Sequence, residues 1–167
     1  MSAGSTTTQV EKPRRGDSRS AQGGATRGTS VAKPWVQFED KTIRTELFAY
    51  NASILSSSVD CPVILIEGVE DHIHILCLLS RKFSIMDVIK KSKTETSKWL
   101  KRKSSELEGF QWQAGYGIFS VSQSKVKQTK RYIANQEEHH RRFSFQDEFR
   151  ELCKRYGVSI DERYVWD

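Results

Sequence analysis

The feature that most constrains this chain is a pair of apolar runs separated by a short polar segment. The first run, Pro62 to Glu67, is almost wholly apolar, as expected of an interior strand. The second begins at His72 and continues to about Leu79. Gly68 to Asp71, between them, has the composition of a turn. The pattern therefore predicts a β-hairpin.

Two histidines stand at the start of the second run, separated by one isoleucine. Successive side chains on a strand point to opposite faces, so His72 and His74 are predicted to share one face while Ile73 faces the other. Two imidazoles at that separation can bind one divalent metal if a third ligand comes from elsewhere in the chain. The alternative is that both histidines are structural.

A helical pattern farther along the chain contains Tyr132 and Gln136. Residues four apart are neighbours on one face of a helix. The tyrosine phenol can act as a nucleophile, and the amide oxygen of the glutamine can complete the coordination of a metal without adding charge. Ser122 or Ser124 is predicted to cap this helix.

Several motifs together resemble one family. They are Cys61-Pro62-Val63, Gly68-Val69-Glu70-Asp71-His72-Ile73-His74, Ser97-Lys98-Trp99, Trp112-Gln113-Ala114-Gly115-Tyr116-Gly117, Tyr132-Ile133-Ala134-Asn135-Gln136-Glu137 and the closing Asp161-Glu162-Arg163-Tyr164-Val165-Trp166-Asp167. The chain resembles the single-tyrosine HUH transposases, which include the TnpA type of small insertion sequences and their REP-associated relatives. The likeness runs from about Pro34 to Asp167.

The resemblance implies a chemical reaction and a role for each candidate residue. Tyr132 is expected to attack a phosphodiester of single-stranded DNA and to keep the 5′ phosphate as a covalent adduct. His72, His74 and Gln136 are expected to hold Mg²⁺ or Mn²⁺, which polarises a phosphate oxygen. Asp71 could orient one imidazole by binding the ring nitrogen that does not bind the metal.

The resemblance also implies partners. The expected substrate is a single-stranded DNA hairpin near the ends of a mobile element. The expected assembly is a homodimer, in which the tyrosine helix of one chain can serve the histidines of the other. A cytoplasmic, nucleoid-associated bacterial protein is the matching location, and the three cysteines, odd in number and in apolar surroundings, favour reduced thiols.

The remaining elements, together with the family's first strand, predict an α+β fold with a ferredoxin-like, RNA-recognition-like antiparallel sheet, helices on one face and added C-terminal helices. The expected first strand is not evident in the sequence. The elements predicted beside the hairpin are a helix from Lys41 to Ser57, a helix capped by Ser84 and Asp87 that reaches Lys103, a strand from Tyr116 to Val121 and a helix from Phe145 to Tyr156 capped by Ser144.

The chain divides into two parts by composition. Residues 1–33 are rich in Ser, Thr, Gly and Arg with almost no large apolar side chains, which predicts a disordered basic tail. Residues 34–167 form the predicted catalytic domain. No run of about 18 apolar residues is present, so no membrane span is predicted.

The formal net charge of +6 permits a polyanionic partner. Basic side chains on the predicted helices are candidate phosphate contacts, and the alternative is that they only form a solvated surface. The adjacent His139 and His140 are predicted to be solvated. The candidate nucleic-acid contacts are Lys90, Lys91, Lys93, Lys98, Lys130 and Arg131.

Two further functions remain open from the sequence. One is a single-strand binder of related shape without catalysis, such as an inactive relative. The other is a protein stabilised by zinc bound to His72, His74 and a cysteine, although the spacing of the cysteines gives this little support.

Overall fold

The structure is a computed structural model that describes residues 40–113, 115–163 and 165–166. The predicted tail over residues 1–33 lies outside the described residues. The first residues of the predicted catalytic domain, and any substitute for a first strand before residue 40, lie outside them as well.

The two apolar runs form the predicted hairpin. Strand β1 spans Val63–Gly68 and strand β2 spans Ile73–Cys77, and the two pair in antiparallel fashion. The register changes between Val63 and Leu65, where β1 carries one extra residue. Such a bulge bends the strand and increases its local twist.

Two long helices cover one face of the hairpin. Helix α1 spans Lys41–Ser58 and helix α2 spans Ile85–Lys103. The predicted capping box is present, because the Ser84 side chain accepts from the backbone of Asp87 and the Asp87 side chain accepts from the backbone of Ser84. At the start of α1, the side chain of Asp40 accepts from the backbone of Thr42. Both helix starts are therefore fixed by local hydrogen bonds.

The core lies between these helices and the sheet. The register sets Ile66 opposite Ile75, and both pack towards α1 and α2. The hydroxyl of Ser92 on α2 donates to the amide oxygen of Asn51 on α1 at 2.9 Å. The main apolar cluster comprises Leu55, Val59, Cys61, Ile66 and Val88, and a second comprises Leu47, Leu100, Leu107 and Phe110.

Three shorter helices follow: α3 spans Val126–Ala134, α4 spans Gln136–His140 and α5 spans Phe145–Arg155. Short 3₁₀ helices occupy Ser105–Leu107 and Gln123–Lys125. Ser144 caps α5 as predicted, and Gly157 follows it with φ of +66°. α3 and α4 both contact β1.

The predicted single helix containing Tyr132 and Gln136 is wrong, because it breaks at Asn135. The backbone N–H of Asn135 donates to the carbonyl of Tyr132, three residues earlier, and Asn135 has φ −102° and ψ 21°. Asparagine disfavours a helix interior, since its side chain competes for backbone hydrogen bonds.

The strand predicted over Tyr116 to Val121 is also wrong. This segment has no regular secondary structure, and the sheet of the described residues has two strands. Carbonyl groups in and beside this segment accept hydrogen bonds from side chains, whereas in a strand they would accept from a neighbouring strand. Lys93 donates to the carbonyl of Gly115 at 2.7 Å, and the Tyr156 hydroxyl donates to the carbonyl of Ser120 at 3.1 Å.

The fold is α+β, as predicted, with the hairpin supplying two strands of the expected sheet. α1 and α2 pack on one face. On the other face, side chains from α3 and α5 meet His74 of β2, and Gln136 of α4 meets His72 just before that strand. Within the described ranges, no helix is both long and apolar enough to cross a membrane.

Candidate active site

The hairpin places two imidazoles on the sheet face that points away from α1 and α2. The ring centroids of His72 and His74 lie 4.9 Å apart, and the rings are nearly perpendicular. Both residues are buried, at 1% and 6% exposure. Gly68 makes the close turn before them, since a Cβ on it would lie 2.2 Å from the carbonyl oxygen of His72.

Asp71 contacts the outer nitrogen of His72. Its Oδ1 lies 2.8 Å from Nδ1 of the imidazole. Because a carboxylate accepts, Nδ1 carries the hydrogen and donates it. The contact turns Nε2 of His72 towards the interior of the site.

Glu148 on α5 lies at the centre of the site and is 4% exposed. Nε2 of His72 is 3.3 Å from its Oε2, and Nε2 of His74 is 3.4 Å from its Oε1. The sequence motifs did not include this residue. A signal was present, since Glu148 lies on the apolar stripe formed by Phe145, Phe149 and Cys153 at helical spacing.

Tyr132 and Gln136 reach the same carboxylate from α3 and α4. The Tyr132 hydroxyl donates to Oε1 of Glu148. The amide nitrogen of Gln136 donates to the same oxygen at 3.1 Å, while its amide oxygen lies 3.4 Å from Nε2 of His72. The structure therefore brings both residues to the histidines of their own chain, despite the break at Asn135.

The prediction that His139 and His140 are solvated is wrong. The side chain of His140 is 11% exposed, and its Nε2 lies 3.1 Å from Oε2 of Glu148. The side chain of His139 is 27% exposed, with Nε2 3.8 Å from Oε1. The turn after α4 holds the His140 ring, because Nδ1 donates to the carbonyl of Phe143 at 2.9 Å.

The acidic and basic groups of the site change each other's pKa. Burial alone would raise the pKa of Glu148, but contacts with His140, His72 and His74 outweigh it and hold that pKa far below its usual range. Burial would lower the pKa of His72, but the contacts with Asp71 and Glu148 raise it to about 9. Glu148 is therefore ionised and His72 protonated when no metal is bound.

His74 and Tyr132 are shifted towards their neutral forms. Burial lowers the pKa of His74, and the neighbouring charge of His72 lowers it further. Burial and the hydrogen bond to Glu148 raise the pKa of Tyr132 above its ordinary value. A neutral imidazole is the form that binds metals.

The donor atoms fit a divalent metal. Those of His72, His74 and Glu148 all lie within 4.8 Å of one another. Nε2 of His74 is buried and has no hydrogen-bond partner within the described part of the chain, as expected of an atom that binds an ion. The alternative of a zinc site with a cysteine is wrong for the described residues. Cys61 and Cys77 pack in one apolar cluster and Cys153 in another, and a carboxylate joins the histidines instead.

Comparison with known proteins assigns the family. The sequence profile of IS200-like transposases matches residues 33–136, which is more than half of the chain. The chain belongs to the IS200-like transposase family. Among solved structures, it is similar to a candidate transposase of Deinococcus radiodurans R1, with 18% identity, a TM-score of 0.45 and coverage of 71% of this chain and 97% of that one. No curated protein matches the sequence.

The basic residues of this family member differ in their surroundings. Four of them are exposed: Lys90, Lys98, Lys130 and Arg131. Lys91 is half-buried. The ammonium of Lys93 instead donates to the carbonyl oxygens of Gln113 and Gly115 at 2.8 and 2.7 Å, and burial lowers its pKa to about 8. Lys93 therefore holds the loop after α2.

We expect metal binding to this transposase to strengthen as the pH rises. An ion must displace the proton from Nε2 of His72, whose pKa is raised to about 9. The apparent affinity for Mn²⁺ should therefore increase about tenfold per pH unit from about 7 and level off near 9. Titration calorimetry at several pH values measures this.

Asp71→Asn is the matched variant, because it removes a contact that raises the pKa of His72. In this variant the affinity should level off at a lower pH. An identical pH profile for both proteins would contradict the assigned role of Asp71.

Proposed function

We propose that this family member cuts and rejoins single-stranded DNA through a covalent 5′-phosphotyrosine intermediate. The observation that supports it most strongly is the convergence of the Tyr132 hydroxyl and Nε2 of both His72 and His74 on one buried carboxylate. A nucleophile and metal ligands in one place are what phosphodiester transfer requires, and transposases act on DNA.

Tyr132 is the proposed nucleophile. Its oxygen attacks the phosphorus, a new O–P bond forms, and the bond from phosphorus to the 3′ oxygen breaks. The phenolic proton, which lies in the hydrogen bond to Glu148, passes to a water molecule, and the departing 3′ oxygen takes a proton from water. Rejoining reverses these steps, when a 3′ hydroxyl attacks the phosphotyrosine and the phenol is released.

His72, His74 and the amide oxygen of Gln136 are the proposed ligands of Mg²⁺ or Mn²⁺. When bound, the ion withdraws electron density from a phosphate oxygen and offsets the negative charge that develops there. Asp71 fixes the tautomer and direction of His72 through the 2.8 Å contact to Nδ1. His74, held neutral by burial, presents Nε2 without loss of a proton.

The proposed substrate is a single-stranded DNA hairpin at the ends of a mobile element, and the proposed assembly is a homodimer. Because unpaired bases expose their edges, a protein can read them individually. Lys93 is left out of the candidate phosphate contacts because its ammonium group binds carbonyls of the loop after α2. The remaining candidates are Lys90, Lys91, Lys98, Lys130 and Arg131. Each chain has Tyr132 beside its own histidines, so we propose that each completes its own site.

The double variant His72→Ala/His74→Ala tests the proposal. The wild-type chain with Mn²⁺ and a DNA hairpin should give a covalent protein–DNA adduct on a denaturing gel. The variant should lose at least about a hundredfold of this adduct because the ion is no longer held, yet should still bind the hairpin in a mobility-shift assay. Equal adduct formation by both proteins would remove the metal from the mechanism.

A second candidate function is binding of single strands without cleavage. It is favoured by the raised pKa of Tyr132, which keeps the phenol protonated while it donates to Glu148. This alternative predicts salt-sensitive hairpin binding by wild type and the double variant alike, and no adduct from either protein with Mg²⁺ or Mn²⁺.

A further inference from the structure

We propose a second cation site, formed by His139, His140 and Glu148, that binds a divalent transition-metal ion beside the pair His72 and His74. The donor atoms of these three side chains lie within 4.8 Å of one another. This second group shares Glu148 with the group formed by His72, His74 and Glu148.

Both ring nitrogens of His140 have polar neighbours. Nδ1 of His140 faces the carbonyl oxygen of Phe143 at 2.9 Å. A carbonyl can only accept, so Nδ1 carries a hydrogen. Nε2 of the same ring lies 3.1 Å from Oε2 of Glu148. The contact with Phe143 therefore fixes the ring with Nε2, the nitrogen that can bind a metal ion, directed at the carboxylate.

The Nε2 atom of His139 faces the same carboxylate. This atom is buried and has no hydrogen-bond partner among the described residues. It lies 3.8 Å from Oε1 of Glu148, which is longer than a hydrogen bond. A buried imidazole nitrogen without a partner loses its hydration, and an ion between it and the carboxylate would restore a partner.

The carboxylate of Glu148 can serve both sites. Each of its oxygens lies near one histidine of each pair: Oε2 near His72 and His140, and Oε1 near His74 and His139. A carboxylate with both pairs of imidazoles around it can bridge two ions, which in such sites are about 3.5–4 Å apart. Glu148 is therefore the residue whose loss affects both ions.

The donor set determines the class of ion. Two imidazole nitrogens and one carboxylate oxygen, with an open position, suit Zn²⁺, Co²⁺ or Mn²⁺, whereas Mg²⁺ and Ca²⁺ prefer oxygen ligands. Because His140 is tied to the turn after α4, its Nε2 is already oriented for binding. Ion binding here does not require the chain to cleave DNA.

Metal stoichiometry tests the site. The full-length protein is dialysed against Co²⁺ or Zn²⁺ and the bound metal is measured by mass spectrometry. Wild type and Tyr132→Phe should hold two ions per chain, and His139→Ala/His140→Ala should hold one. His72→Ala/His74→Ala should keep one ion, bound by the second site. Glu148→Ala should weaken both, by at least about tenfold each.

Arg142→Ala is the control, because this exposed residue is close to the histidines in sequence but outside the donor group, and it should keep two ions. One ion per wild-type chain, or no loss of metal in His139→Ala/His140→Ala, would overturn the second site. The wild-type stoichiometry decides the question even if a variant fails to fold. Two ions without any DNA adduct would support the second site and reject the proposed cleavage.

Discussion

The Tyr132→Phe variant should form no detectable covalent adduct with a single-stranded DNA hairpin, a loss of at least about a thousandfold. The substitution removes the only atom of the side chain that can attack phosphorus. The ring itself should stay in place, since it packs against His74 with centroids 6.1 Å apart and against His139 with centroids 5.4 Å apart. A denaturing gel of the reaction with Mn²⁺ measures the adduct directly.

Tyr156→Phe is the matched control for this loss. Tyr156 is exposed at 43%, and its hydroxyl donates to the carbonyl of Ser120 at 3.1 Å, away from Glu148. This variant should form the adduct at close to the wild-type level. Adduct formed equally by Tyr132→Phe and wild type would assign the nucleophile to another residue, and thermal unfolding of both variants would show whether either is misfolded.

Gly68→Ala should destabilise the protein by more than about 3 kcal/mol and abolish Mn²⁺ binding. The added Cβ would lie 2.2 Å from the carbonyl oxygen of His72 and 2.7 Å from Cα of Ile73. Both are backbone atoms, so rotation of a side chain cannot relieve the contact, and the strand that carries the histidines must move. Chemical denaturation and metal titration measure the two effects.

Gly109→Ala separates this contact from the general effect of replacing glycine. A Cβ at Gly109 would meet no atom within 4 Å. Its stability should stay within about 1 kcal/mol of wild type, because only the conformational freedom of the unfolded chain changes appreciably. Similar losses in both variants would contradict the close approach at Gly68.

Local patterns predict most of the regular elements. The two apolar runs on either side of Gly68 indicate the hairpin, and Ser84 with Asp87 indicates the start of α2. These predictions succeed because caps and strand alternation depend on residues close together in sequence. The strand expected over Tyr116 to Val121 fails because carbonyls in and beside it bond to Lys93 and Tyr156, which are distant in the chain.

The candidate site divides in the same way. Spacing and the family resemblance single out His72, His74, Tyr132 and Gln136, and the fold brings all four around one point. Their chemical roles remain proposals. Glu148 belongs to α5, outside both motifs, and His139 and His140 follow Gln136 on α4 without a spacing that indicates a site. All three meet the first histidine pair only through packing.

Two properties of this transposase can be read from its amino acids alone: its family, and the two short motifs formed by His72-Ile73-His74 and by Tyr132 with Gln136. Both motifs depend on neighbours a few residues apart, which strand and helix geometry relate directly. The position of Glu148 between them depends on long-range packing instead. Its carboxylate lies on the apolar stripe of α5, and α5 packs against the histidine face. Among the described residues, the partners of that carboxylate are therefore imidazoles, an amide and a phenol.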